Sequence, residues 1–197
     1  MGTVKRLNGL VLCGGMSLRM RADKGLLRDG QMGMPWFVTA AQKLAPLCDA
    51  VYISIRKEQE ESYRSGGLSL ITDRDDTGVE GPARGIFSAA MSHPDVDWFV
   101  LSTDMIRITP PTLAALRSAW ETHQGFDSVC FEVNQCLEPL CAIYSARGLE
   151  KLHSEMISRK NYSPTSLLKF MDLYVSALGK ISPDEFLSFN SPEDFGL

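Results

Sequence analysis

Between residues 7 and 120, short apolar runs alternate four times with stripes of helical period, and few folds accommodate that order. The runs LNGLVLC (7–13), AVYISI (50–55), LSLIT (68–72) and DWFVLST (97–103) have the density of strands buried on both faces. Between them, Trp36, Phe37, Ala40, Ala41 and Leu44 recur at helical spacing, and a charged KEQEESYRS helix is stopped by Gly66-Gly67. The stripe Ala83, Ile86, Phe87, Ala90 and Met91 begins near Gly81-Pro82, where proline suits a first helical turn that has no partner for its N–H. Leu113, Leu116 and Trp120 mark a further helix after Pro110-Pro111. Strand–helix–strand units of this kind close by right-handed crossovers. They predict a three-layer α/β architecture, a mostly parallel twisted sheet with helices on both faces.

The last third is less regular. SVCFEV (128–133) and LCAIYS (140–145) read as a hairpin or as mixed strands. Helices near 146–157 and 164–172 precede LYVSAL (173–178) and a polar tail, SFNSPEDFGL. No repeat, linker or low-complexity stretch divides the chain. Its 197 residues suit one domain, 1–197, that buries about 70% of its unfolded surface.

Composition narrows the function classes. No apolar stretch approaches the roughly 18 residues that a membrane span needs. The apolar piece at the N-terminus is only LVLC with no small-residue cleavage site after it, and Arg6 stands where N-myristoylation wants Ser or Thr. A cytoplasmic protein without a membrane partner is expected. The net charge of −4 argues against nucleic acid, whose phosphates call for a basic face. Residues 1–30 nevertheless hold six Lys or Arg against two Asp, while the remainder holds 14 basic and 22 acidic residues. A small cationic segment on an acidic body suits a compact anion, although a solvated N-terminal segment has the same composition. The five cysteines, 13, 48, 130, 136 and 141, form no CxxC and no zinc-ligand spacing, so they read as reduced thiols.

In open α/β sheets, ligands bind beyond the carboxyl ends of the strands. Gly14-Gly15, Asp73 and Asp104 follow the first, third and fourth runs, which places them on that edge. In GGMSLRMRADKG (14–25) the glycines let backbone N–H groups approach an anion, and Ser17, Arg19, Arg21 and Lys24 follow within ten residues. Together they resemble a triphosphate cradle, with donors and cations that offset the charge on a leaving pyrophosphate. The loop matches neither GxxxxGK[ST] nor GxGxxG, which disfavours a plain kinase, GTPase or dehydrogenase. Asp104, at the lip of a buried strand, suits a Mg²⁺ ligand. A basic surface turn and a loop-capping aspartate would leave the same two patterns.

These residues carry a resemblance. LVLCGGMSLRMRADKGLL is similar to the signature of the molybdenum cofactor guanylyltransferase family, roughly LAGGxSxRMGxDKxLL. GPARGIFSA (like GPLAGI), the strand-end Asp104, EPLCAIYS (138–145) and NSPED (190–194) follow in family order, so the likeness spans residues 8 to 195. The Asp23-Lys24 pair, where cytidylyltransferases of isoprenoid synthesis resemble PK, favours the molybdopterin branch. The resemblance implies a Rossmann-like nucleotidyltransferase fold. It implies that Leu12, Cys13 and Gly14 line the nucleotide pocket with backbone groups and that Gly15, Ser17 and Ser54 also contact the nucleotide, with Asp73 near base or ribose. Lys24 and Arg19 would meet the phosphates, Asp104 would bind both nucleotide and Mg²⁺, and Asn190 would lie near metal and acceptor. Three positions depart from the family: Arg21 replaces a glycine, Ile106 a proline, and Ser54 an asparagine.

The activity so implied is transfer of GMP from GTP to the terminal phosphate of molybdopterin, releasing pyrophosphate, with Mg²⁺ as cofactor and catalysis by Arg19, Lys24 and Asp104. Molybdoenzymes or their chaperones would receive the product. A phosphate monoester is already ionised near neutral pH, so no general base is required. His93, His123 and His153 read as surface residues at helix ends or in connections. Two alternatives remain: a cytidylyltransferase or other NTP transferase acting on a phosphorylated alcohol, and a nucleotide-binding homologue without turnover.

Overall fold

The computed structural model describes residues 6–13, 23–28 and 33–189. Its strands are β1 (Leu7–Leu12), β2 (Val51–Ile55), β3 (Ser69–Thr72), β4 (Asp97–Ser102), β5 (Ser128–Val133), β6 (Cys136–Tyr144) and β7 (Leu173–Ser176). They form a single sheet in the order β3-β2-β1-β4-β6-β5-β7. Only β6 runs against its neighbours, and every other pairing is parallel.

Parallel strands need cover on both faces, and the period of two divides the sheet's apolar residues between two cores. Val11, Ile53, Phe99, Leu101 and Ile143 face α1 (Trp36–Leu44) and α4 (Pro110–Thr122), which contribute Phe37, Leu44, Leu113 and Leu116. Leu10, Leu12, Trp98, Val100 and Tyr144 face α3 (Pro82–Ser92), α5 (Ala146–Arg159) and α6 (Pro164–Lys169), which contribute Ile86, Phe87, Leu149, Leu152 and Leu167. Each such side chain stabilises the fold by about 1.5–3 kcal/mol. The three-layer expectation therefore holds. The KEQEESYRS segment forms a 3-10 turn, Lys57–Gln59, followed by α2 (Glu60–Arg64).

Two expectations need correction. In α3 the buried face contains Gly85, Ser88 and Ala89, while Met91 is 39% exposed, because the small residues let the helix lie close to the sheet. The histidines are half-buried packing residues: His93 lies against Tyr52 and Trp98, His123 stacks on Tyr174, and His153 Nε2 is 2.7 Å from the Thr77 carbonyl.

The 128–145 region is a hairpin, and β6 starts four residues before the apolar run. Pro139, which cannot donate to a ladder, hid this extension, and it lies where the β5–β6 register shifts between Cys130 and Glu132. Asn134 and Gln135, both at positive φ (49° and 66°), make the two-residue connection. Because β6 is reversed and pairs Leu101 with Cys141, its first half passes the carboxyl end of β4.

Acidic residues at the opposite edge have structural partners. Asp97 accepts from the Ala146 N–H at the start of α5, and Asp127 is held by Arg147 and Lys151. All five cysteines are free, and burial pushes the Cys48 and Cys130 thiols up to about 12. Among the described residues, no helix is long and apolar enough to cross a membrane.

Two tests follow from the hairpin. Gln135→Gly removes left-handed strain from the turn and is expected to stabilise the fold by about 0.5–1 kcal/mol in urea denaturation. Burial lifts the Glu138 carboxyl from 4.5 to about 7, so in that window the native state keeps a proton that the unfolded chain has lost. Stability should thus fall as pH rises from about 4.5 to 7 and level off above. Glu138→Gln should flatten that stretch of a stability–pH curve.

Candidate active site

At the carboxyl edge of β1, β2, β3 and β4 the chain leaves a cleft of about 440 Å³, within the range of small-molecule sites. Leu12, Ser54, Asp73, Gly85, Ser102 and Asp104 are among the residues that line it. The reversed strand β6 adds Leu140 from the other side.

Asp104 is the first candidate group. It sits in the turn after β4, where the Ser102 hydroxyl donates to Oδ1 at 2.6 Å and Lys24 Nζ donates to Oδ2 at 3.0 Å. Both partners of the ion pair are mostly buried, with side chains 13% and 16% exposed, so their attraction is screened less than on an open surface. The β1–β4 junction is fixed by Thr103, whose N–H and hydroxyl both donate to the Leu12 carbonyl.

Asp73 follows β3 and accepts from the Ser54 hydroxyl at 2.9 Å. Desolvation raises its carboxyl above the ordinary range, against the lowering effect of the Ser54 bond and the Arg84 and Arg56 charges. Ser54, which replaces the family asparagine, thus steadies this carboxylate directly.

Of the residues expected at the nucleotide, Leu12, Ser54, Asp73 and Asp104 line the cleft, and Lys24 meets it through Asp104. Cys13 does not line it: it is 1% exposed, its side chain joins the α1 core, and its N–H donates to the Ser54 carbonyl. Gly14, Gly15, Ser17, Arg19, Arg21 and Asn190 lie outside the described residues. The chain does reach the site just before Asn190, where the Phe189 N–H donates to the Asp104 carbonyl at 3.0 Å and Arg107 lies over the Phe189 ring. Ile106 presents its carbonyl to Lys43 Nζ at 2.7 Å, a role that a proline there could also fill.

Three features escaped the sequence reading. Arg56 and Arg84 both line the Asp73 end of the cleft. Gly85 leaves room for it, because a Cβ there would run into Ser54 Oγ and approach Leu12 Cδ2 to 3.1 Å. Its signal was available: a glycine within a helical apolar stripe often marks a close approach. The third feature is the set of contacts around Asp23, which no local pattern announces.

Chemically, the cleft offers a carboxylate beside an ammonium, a second carboxylate at the end of β3 on the far side of β2 and β1, and apolar walls. The all-oxygen donors at Asp104 fit Mg²⁺, which takes one or two protein carboxylates and completes its shell with water and phosphate oxygens. Among the described residues, no group of three His, Cys, Asp or Glu side chains is placed to hold a metal alone.

The family model of the MobA-like NTP transferase domain matches residues 9–172. Over 195 residues the chain is 30% identical to the molybdenum cofactor biosynthesis bifunctional protein of a Synechocystis species, a match covering 96% of this chain and 53% of that one. The chain therefore spans about half the length of that relative. It is 24% identical to the molybdenum cofactor guanylyltransferase of Campylobacter jejuni, with 98% and 95% of the two chains covered. The crystal structure of molybdopterin-guanine dinucleotide biosynthesis protein A from Archaeoglobus fulgidus has the same fold, with a TM-score of 0.76 at 20% identity over 96% of this chain and 95% of that one.

The packing at Gly85 is directly testable. Gly85→Ala should push Ser54 off Asp73, destabilise the chain by about 1–3 kcal/mol, and raise the Asp73 pKa further. Urea denaturation and carboxylate NMR titration read the two effects.

Proposed function

The chain belongs to the MobA-like NTP transferase domain family, and from that premise we propose that it transfers GMP from GTP to the terminal phosphate of molybdopterin, with pyrophosphate as leaving group. The observation that carries this reading is the buried Lys24–Asp104 pair at the head of a nucleotide-sized cleft. The names of the relatives support the choice of GTP and of a molybdopterin-type acceptor.

In the proposed reaction an oxygen of the acceptor phosphate attacks the α-phosphorus of GTP. The bond to the bridging oxygen breaks, and pyrophosphate leaves with the electron pair. The acceptor is a monoester with a second pKa near 6, so it arrives largely ionised. No general base is needed, in keeping with a cleft lining that contains none of the three histidines. The chain's task is alignment and charge stabilisation. Leu12 and Ser54 wall the nucleotide, and Asp73 faces base or ribose. Lys24 and Arg19 offset negative charge on the phosphates, beside the backbone donors of Gly14 and Gly15 and the Ser17 hydroxyl. Asp104, with Asn190, would hold Mg²⁺, which supplies Lewis-acid neutralisation of phosphate oxygens when bound. Substrates of this kind belong in the cytoplasm, and molybdoenzymes or their chaperones would take up the product.

A coupled pyrophosphate-release assay with molybdopterin-type acceptor, Mg²⁺ and each of GTP, CTP, ATP and UTP tests the reading. Release with GTP is expected, falling about 10²–10³-fold in Lys24→Ala and Asp104→Ala, the loss typical of one charge-stabilising contact. Release with CTP alone would move the protein to a cytidylyltransferase activity. Silence with all four nucleotides, despite GTP binding, would overturn transfer altogether.

A further inference from the structure

Asp23 directly precedes the lysine of the site, and its carboxylate takes three donors. Tyr63 OH and the Gly25 N–H reach Oδ1 at 2.7 and 3.1 Å, and Gln59 Nε2 reaches Oδ2 at 2.5 Å. The same Gln59 nitrogen also donates to the Cys13 carbonyl at 3.3 Å. One side-chain amide thus joins the end of β1 to the turn that carries Lys24. Its own orientation is fixed, because Oε1 accepts from the Arg56 N–H at 2.7 Å, which leaves only the NH₂ group for Asp23 and Cys13. Tyr63 is fully buried and Gln59 is 6% exposed, and the tyrosine ring packs on Phe37 of α1 with centroids 4.7 Å apart. Gly25 belongs to the same arrangement, since a Cβ there would collide with the tyrosine hydroxyl. Burial holds the Tyr63 phenol far above its ordinary range, so it stays a donor.

We propose that Asp23, Gln59 and Tyr63 are positioning residues for the nucleotide: a polar clamp that ties the Lys24 turn to the end of β1 and so sets the ammonium opposite Asp104. The inference rests on the nucleotide-binding part of the reading above and specifies how that site is held in register. Lys24 alone has a flexible four-carbon stem, so a charge needed at one place requires a fixed backbone beneath it. The clamp fixes that backbone from the Lys57–Gln59 turn, which carries Gln59, and from α2, which carries Tyr63, in a segment whose other residues are mostly charged and exposed.

The donor pattern makes a specific test possible. Asp23→Asn turns an amide NH₂ toward the Gln59 NH₂, and Gln59→Glu sets a carboxylate against a carboxylate. In the double variant the asparagine donates to the glutamate, and the Tyr63, Gly25 and Arg56 bonds are kept, but the bond to the Cys13 carbonyl is lost because a carboxylate has no donor for it. Calorimetry with Mg²⁺-GTP on the whole chain reads the outcome, with thermal midpoints recorded to confirm folding. Each single variant should bind GTP at least tenfold more weakly, and the double variant, with the bond between positions 23 and 59 restored and the Cys13 bond still missing, should bind severalfold more tightly than either single and more weakly than the parent. Tyr63→Phe, which removes one hydroxyl, should weaken binding severalfold and keep the fold. Singles that bind like the parent, or a double no better than its worse single, would overturn the clamp, as would losses that follow the thermal midpoint alone. A parent chain that binds GTP without releasing pyrophosphate would sink the transferase reading and leave the clamp to be judged by the same affinities. A parent that binds no nucleotide would overturn both.

Discussion

Everything at the site depends on the parallel pairing of β1 with β4, six residues in register from Leu7 opposite Asp97 to Leu12 opposite Ser102. Both strands are buried along their whole length, so their backbone groups must bond to neighbouring strands and their side chains must fill two cores. A parallel pair ends at one edge, which brings Leu12 and Thr103 together although they are 91 residues apart. Thr103 locks that edge through two donors on one carbonyl. The reversed strand β6 then covers the far side of β4 without adding another carboxyl end there.

On this frame the polar chemistry is held by small, local bonds. Each cleft carboxylate has a serine two residues or one strand away: Ser102 for Asp104 and Ser54 for Asp73. A hydroxyl donor lowers the cost of keeping a carboxylate out of water and fixes which oxygen faces inward. Gly85 matters for the same reason, since the Ser54–Asp73 contact exists only because α3 can lie against the end of β2. Carboxylates at the other edge, Asp97 and Asp127, are engaged by a helix N–H and by cations, which separates the structural acids from those that face the cleft.

The parts of this architecture differ in how legible they are in sequence. β1 and β4 are plain because they are buried along their whole length and leave dense apolar runs, while β2 and the edge strand β3, less fully buried, are short β-rich runs bounded by helix and turn signals. α1 and α4 are plain because their stripes face a single core. The extension of β6 is hidden by Pro139 and Glu138, a proline and an acid in a strand that passes the sheet edge, where neither rule of apolar density applies. The half-buried histidines are misread for a related reason: a residue at a helix end can still pack on a ring from another element, as His123 does on Tyr174. Leu12 and Cys13 show how period two divides neighbours, since the Leu12 side chain turns to the cleft and the Cys13 side chain to the α1 core.

Local sequence by itself determined the order of elements, the strand ends that carry Asp73 and Asp104, and the family motif around Lys24. Those are properties of periodicity and spacing, which act over a few residues. Tertiary structure alone decided that Lys24 faces Asp104 across 80 positions, that Ser54 steadies Asp73, and that Gln59 and Tyr63 of a charged segment converge on Asp23. Such contacts depend on sheet register and on how closely helices approach, and those distances are set by the packing of side chains far apart in the chain.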